Sequence, residues 1–119
     1  MIEASCHCGH VVMEIARAPR RLTSCNCSIC RRTGALLAYY KPSQVRFTGK
    51  KTPAAKIYKW GDKMLEFHHC PKCFCFTHWS AVDKTYDRMG VNARLMPPEI
   101  LAKARVRRFD GAKTWKFLD

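Results

Sequence analysis

Seven of the eight cysteines fall into three short clusters, Cys6-x-Cys8, Cys25-x-Cys27-x-x-Cys30 and Cys70-x-x-Cys73. Thiolates one or two residues apart can sit at neighbouring corners of a tetrahedron with Zn–S near ~2.3 Å, whereas a disulfide inside such a pair would close a strained ring. The pattern points to zinc. Four bridges in a secreted domain would be the competing use of eight cysteines. Met1-Ile2-Glu3-Ala4-Ser5 runs straight into Cys6 without a charged start, an apolar core or a cleavage site, so no export signal is read here and a cytoplasmic location is expected.

The outer pairs, Cys6/Cys8 and Cys70/Cys73, supply the four sulfurs of a closed structural site. Zinc there would tie the N-terminal segment to a distant turn and close a long loop. The middle cluster offers only Cys25, Cys27 and Cys30. Three protein ligands leave a fourth position for water or substrate, the arrangement of catalytic zinc, so these three are the candidate catalytic residues and two zinc ions per chain are expected. His7, His68, His69, His78 or Cys75 filling that position from elsewhere is the competing arrangement. Otherwise Cys75 reads as a buried inert thiol, and His68 and His69 as neighbours of a metal site. Trp60, Trp79, Tyr39 and Tyr40 read as core and sheet-face residues.

These clusters need a scaffold, and short runs rich in β-branched and aromatic residues between turn signals predict a mainly β chain. The expected strands are Val11 to Ala16, Leu36 to Tyr40, Gln44 to Phe47, Lys56 to Trp60, Met64 to His68, Phe74 to Trp79, Val91 to Leu95 and Arg105 to Phe109. Gly61-Asp62 between two of these runs predicts a hairpin with glycine at the first central position. One short helix is expected at residues 97–103, entered through Pro97-Pro98. The stretch from Asp110 reads as a turn followed by an aromatic anchor, Trp115. No linker or composition shift divides the chain, so residues 1–119 are expected to form one domain.

No apolar run approaches the ~20 residues of a membrane span, and no membrane association is expected. The formal charge is +13. Subtracting seven thiolate charges and adding four for two zinc ions leaves about +10, which still attracts anions. The basic residues are dispersed as Arg17/Arg20/Arg21, Arg31/Arg32, Lys50/Lys51 and Lys103/Arg105/Arg107/Arg108. A solvated coat explains such dispersion, unless the groups converge in space.

The ordered set C-x-C, C-N-C-S-I-C-R-R-T-G-A (Cys25 to Ala35), a Tyr-containing strand, C-P-K-C, Val91-Asn92 and Phe109-Asp110-Gly111 resembles the glutathione-dependent formaldehyde-activating enzyme family. That family takes in S-(hydroxymethyl)glutathione synthase-like and centromere protein V-like zinc domains, and the likeness runs from Cys6 to Trp115. It implies a β-tent fold of small antiparallel sheets around the structural zinc, and a second zinc at the presumed active site. It further implies a carbon–sulfur lyase that joins glutathione to formaldehyde, with the glutathione sulfur as fourth ligand. Phe74 stands where the family's knuckle usually carries glycine, so a position suited to φ > 0 holds a bulky side chain. After Val91-Asn92, Ala93-Arg94-Leu95-Met96 replaces the usual Gly-x-Leu-Asp; if that segment borders the substrate, the substrate differs.

Arg31 and Arg32 follow Cys30 directly, where they could offset the zinc-thiolate charge and bind a carboxylate of an anionic thiol such as glutathione. Two exposed arginines on a loop or first helical turn are the equal alternative. Two other functions fit the same residues: a non-catalytic basic zinc module binding nucleic acid or protein, and a redox or metal-buffering role for accessible thiolates.

Overall fold

The computed structural model describes residues 1–49 and 56–119, so the Lys50/Lys51 pair lies outside the described residues. Among the described residues, ten strands and two short α-helices make the chain mainly β, in two sheets. The smaller sheet joins β1 (Ile2–Ser5), β2 (Val12–Ile15) and β5 (Val45–Phe47) in the order β1-β2-β5, all antiparallel.

The larger sheet contains β3 (Arg21–Cys25), β4 (Leu37–Tyr40), β6 (Lys56–Tyr58), β7 (Leu65–His69), β8 (Phe76–Ala81), β9 (Met89–Asn92) and β10 (Arg105–Phe109). Their order is β10-β3-β4-β9-β8-β7-β6. The central strands β8 and β9 are buried along nearly their whole length, and the polar side chains they carry inward are hydrogen-bonded: the Thr77 hydroxyl donates to His68 O and Asn92 Nδ2 to Phe76 O. Every pairing is antiparallel except β10 on β3, which run parallel with Phe109 opposite Cys25. The sheets are therefore not all small, and one is mixed.

Two strands were not expected. β1 is only four residues long, and β3 (Arg-Leu-Thr-Ser-Cys) lacks an apolar alternation because Leu22 and Thr23 are both buried. The run expected at Val91 to Leu95 starts earlier, at Met89, and turns into a 3-10 helix at Ala93–Leu95, capped by the Asn92 side chain, which accepts from the Arg94 N–H. The helix expected at residues 97–103 is Pro98–Lys103, α2. A second helix, α1 (Ser28–Thr33), joins it. The turn at Gly61-Asp62 forms as expected, with Lys63 N–H donating to Trp60 O and Gly61 at φ +61°, but pairing between β6 and β7 begins only at Tyr58 and Phe67.

One core cluster, including Met13, Ile15, Leu22 and Val91, takes side chains from both sheets. Ala93 and Met96 belong to it and Leu95 packs against it, so the segment that departs from the family pattern faces the core and lines neither cleft described below. A second cluster of Ala35, Leu37, Phe67, Phe76 and Trp79 closes around Cys30, with Cys25 and Cys27 packed against it.

Candidate metal centres and their cleft

Cys6 follows β1, and Cys70 and Cys73 follow β7, whose bulge at His68/His69 re-aims the chain just before the turn. Cys8 and Cys70, 62 positions apart, lie with sulfurs 3.7 Å from each other, as do Cys6 and Cys8. A tetrahedron with Zn–S of ~2.3 Å has edges of about 3.8 Å, so this spacing suits a shared metal and is far from a disulfide. All eight cysteines are free thiols, and the sulfurs of Cys6, Cys8, Cys70 and Cys73 lie within 4.8 Å of one another.

Backbone amides serve these sulfurs. The N–H groups of Lys72 and Cys73 each donate to Cys70 Sγ at 3.4 Å, and that of Val11 to Cys6 Sγ at 3.3 Å. Burial pushes the Cys73 thiol up, but N–H donors from Cys75 and Cys8 outweigh it and hold the group at about 5. The turn requires Phe74 at φ +65°, the left-handed conformation anticipated from its place after Cys73, and its N–H closes the knuckle on Cys70 O.

The second centre is built by the parallel β3–β10 pair. Cys25 ends β3, Cys27 caps α1 and Cys30 lies on its buried face. Gly34, at φ +69°, ends α1 by donating to Cys30 O. Asn26 locks this loop to the one after β10: its Nδ2 donates to Asp110 Oδ1 at 3.0 Å, and its Oδ1 accepts from Ala112 N–H at 3.0 Å. Asp110 is buried and also accepts from the Thr114 hydroxyl; the Asn26 bond first, then the Thr114 bonds, hold its carboxyl below the usual range. Gly111 then lies against the sulfurs. A Cβ there would stand 2.6 Å from Cys25 Sγ, so no other residue fits without displacement.

The three sulfurs lie within 4.8 Å of one another, and among the described residues no fourth cysteine, histidine or carboxylate joins them. Their titration is split. A hydrogen bond from Cys30 is the main cause that lowers Cys25 to about 5, while the same bond and then burial push Cys30 far above the ordinary thiol range. Three crowded thiolates repel, and a divalent cation among them removes that penalty. Both clusters can thus hold metal ions, and their all-sulfur donor sets suit zinc.

None of the other candidates enters either cluster. His7 is exposed; His68 Nε2 lies 2.7 Å from Ser80 Oγ, and His69 Nδ1 lies 3.2 Å from Lys56 O. His78 is buried against His68; Cys75 lies beside Cys73 without joining the four sulfurs, and it is half-buried rather than fully buried as expected. Arg31 and Arg32 are exposed residues in the last turn of α1, and Arg32 donates back to Ser28 O at 2.9 Å. Neither lines a cleft; the arginine in the wall of the three-sulfur cleft is Arg88, stacked 4.1 Å above the Tyr39 ring.

The three-sulfur centre opens into a cleft of about 610 Å³ walled by Tyr39, Trp60, Phe67, Trp79 and Trp115. Trp79 fits because Gly90 is opposite it on β9, where a Cβ would lie 2.1 Å from the indole Nε1. Sequence reasoning placed Tyr39, Trp60 and Trp79 in the core and on sheet faces; Tyr39 and Trp79 are both packed there and part of the wall, whereas Trp60 lies past the end of β6, exposed, and lines the cleft without joining the core. Trp115 packs edge-on to Phe109 yet remains 72% exposed, a rim residue rather than an anchor.

A mainly β fold with a closed four-sulfur cluster and an open three-sulfur cluster defines a class of two-site zinc-type domains. The sequence model of the glutathione-dependent formaldehyde-activating enzyme family matches residues 1–107, and the chain belongs to that family. No curated protein matches it. Among solved structures it is similar to the crystal structure of a Rhodobacter sphaeroides protein, a structural-genomics target, at 26% identity and a TM-score of 0.69, covering 87% of this chain and 98% of that one. Among the described residues no helix is long and apolar enough to cross a membrane.

Proposed function

We propose that the chain adds a thiol to a small carbonyl electrophile at Cys25, Cys27 and Cys30, as a carbon–sulfur lyase of the S-(hydroxymethyl)glutathione synthase type acting on glutathione and formaldehyde. The observation that carries this reading is three converging sulfurs with no fourth ligand among the described residues, facing a cleft large enough for a peptide-sized thiol. A zinc ion held there supplies Lewis acidity that lowers the pKa of an incoming thiol.

The chemistry is balanced by one proton. A sulfur–carbon bond forms, the carbonyl π bond breaks, and the proton lost by the thiol ends on the former carbonyl oxygen. Tyr39 is the proton donor the cleft offers. Burial, chiefly, raises its pKa and keeps the hydroxyl protonated at neutral pH, against the opposing pull of the Thr23 hydrogen bond and the Arg88 charge. Trp60, Trp79 and Phe67 exclude water from the adduct, and Arg88 stands ready for a carboxylate. A non-catalytic basic module is less supported, because such a module would have no use for an open sulfur centre in a cleft.

The test is exchange NMR of ¹³C-formaldehyde with glutathione over zinc-loaded protein. Adduct formation faster than the uncatalysed reaction is expected, and Cys27→Ser should abolish the excess while retaining the metal of the other cluster. No excess over the uncatalysed rate, or an excess untouched by Cys27→Ser, would reject the reading.

A further inference from the structure

A second pocket of about 650 Å³ adjoins the sulfur cleft and shares Thr23, Tyr39, Arg88 and Phe117 with it. Its walls carry five arginines, Arg17, Arg20, Arg21, Arg88 and Arg107, and no carboxylate. They come from three separate places: the β2–β3 connection into β3, the approach to β9, and β10. Charges dispersed in sequence thus converge on one concavity.

Two of the guanidinium groups are held by ring faces. Arg88 stacks on Tyr39 at 4.1 Å and Arg107 on Phe117 at 4.0 Å, an arrangement that fixes the planes and leaves N–H edges for an oxyanion. Arg107 Nε is shielded from solvent and has no hydrogen-bond partner among the described residues; Asp119 Oδ1, at 3.8 Å, is too far to accept from it. Its Nη2 donates to Asp119 O at 3.3 Å. Among the described residues Asp119 is the one carboxylate within ion-pair distance of any of these five arginines, so most of their positive charge is uncompensated there.

We infer that this arginine pocket binds the oxyanionic arm of the thiol substrate, carboxylate or phosphate, while its sulfur end reaches past Tyr39 into the three-cysteine cleft. The inference rests on the reading of that cleft as the thiol site. It makes Arg17, Arg20 and Arg21, rather than Arg31 and Arg32, the determinants of substrate charge.

Titration calorimetry of zinc-loaded protein tests it with four ligands: glutathione, S-methylglutathione, 4′-phosphopantetheine and the uncharged thiol 2-mercaptoethanol. Arg17 and Arg21 are exposed, so Arg17→Gln/Arg21→Gln should keep its metal content and melting temperature. Its expected effect is at least tenfold weaker binding of the oxyanionic ligands, roughly the loss of one charge-assisted hydrogen bond or more, with 2-mercaptoethanol unchanged. Loss for glutathione and its S-methyl derivative identifies a carboxylate arm, and loss for phosphopantetheine alone a phosphate arm. Should the double variant melt lower, Arg20→Gln alone carries the same comparison. Equal affinity of variant and parent for every oxyanionic ligand overturns the pocket assignment. If S-methylglutathione binds the parent as tightly as glutathione but still depends on the arginines, the thiol reading fails and the oxyanion pocket stands.

Discussion

Phe74 shows how much a single backbone angle can decide. The turn that presents Cys70 and Cys73 places Phe74 at φ +65° with a side chain 65% exposed, so it bears the left-handed penalty and recovers little from packing. Glycine has no such penalty but loses more chain entropy on folding. Phe74→Gly is therefore expected to stabilise the zinc-loaded protein by about 1 kcal/mol, read as a rise in the urea midpoint at unchanged m-value. A lower midpoint would mean that the exposed ring makes contacts the fold needs. Gly111 illustrates the opposite constraint: its φ is ordinary, and what forbids a side chain is Cys25 Sγ at 2.6 Å from the would-be Cβ.

Among the elements, β8 carries a buried histidine at the heart of the larger sheet. His78 stacks on His68 at 4.2 Å, and its Nδ1 lies 2.9 Å from the Thr77 hydroxyl. Burial first, and the neighbouring His68 charge second, depress its pKa to about 3, and burial lowers His68 as well. The unfolded chain takes up this proton near pH ~6.5 while the folded chain resists until far lower, so the unfolded state binds more protons between those limits. Stability is then full above pH ~6.5 and falls as the pH drops toward 3. Zinc ligands act in the same direction, which makes the comparison with a variant the informative one. Denaturation of His78→Phe is expected to show a shallower loss between pH 6.5 and 5 than the parent, by up to about 1.4 kcal/mol per pH unit. Identical slopes would show that His78 is not what resists protonation.

At the scale of the molecule, the two sulfur clusters differ in setting. Cys6 and Cys70 are buried, and their cluster joins segments 62 residues apart, whereas the trio opens to a cleft. Structural zinc contributes on the order of 10 kcal/mol that only the folded chain can use. A graded chelator is expected to remove one metal first with the far-ultraviolet circular dichroism intact, and the second together with the strand signal. Release of both metals with the β signal preserved would show that neither holds the fold together.

The cysteine spacing by itself determined the two ligand sets, because ligand chemistry is local to each cluster and only the pairing of the outer two is long-range. The strand-rich character was equally legible, since runs such as Phe-Thr-His-Trp-Ser-Ala carry β preference in their own composition. β3 and α1 were not legible. A five-residue strand with adjacent buried positions and a six-residue helix are too short for a period to emerge, and each owes its place to partners elsewhere in the chain. Only tertiary structure set Phe109 beside Cys25, through a parallel pairing that no nearby turn encodes, and so brought Asp110 and Gly111 onto the sulfur loop. It also gathered five arginines scattered along the chain into one pocket, while Arg31 and Arg32, adjacent in sequence, lie exposed on α1. Adjacency in sequence constrains which atoms can share a metal, but a pocket is a property of surfaces, and surfaces are assembled by strand order.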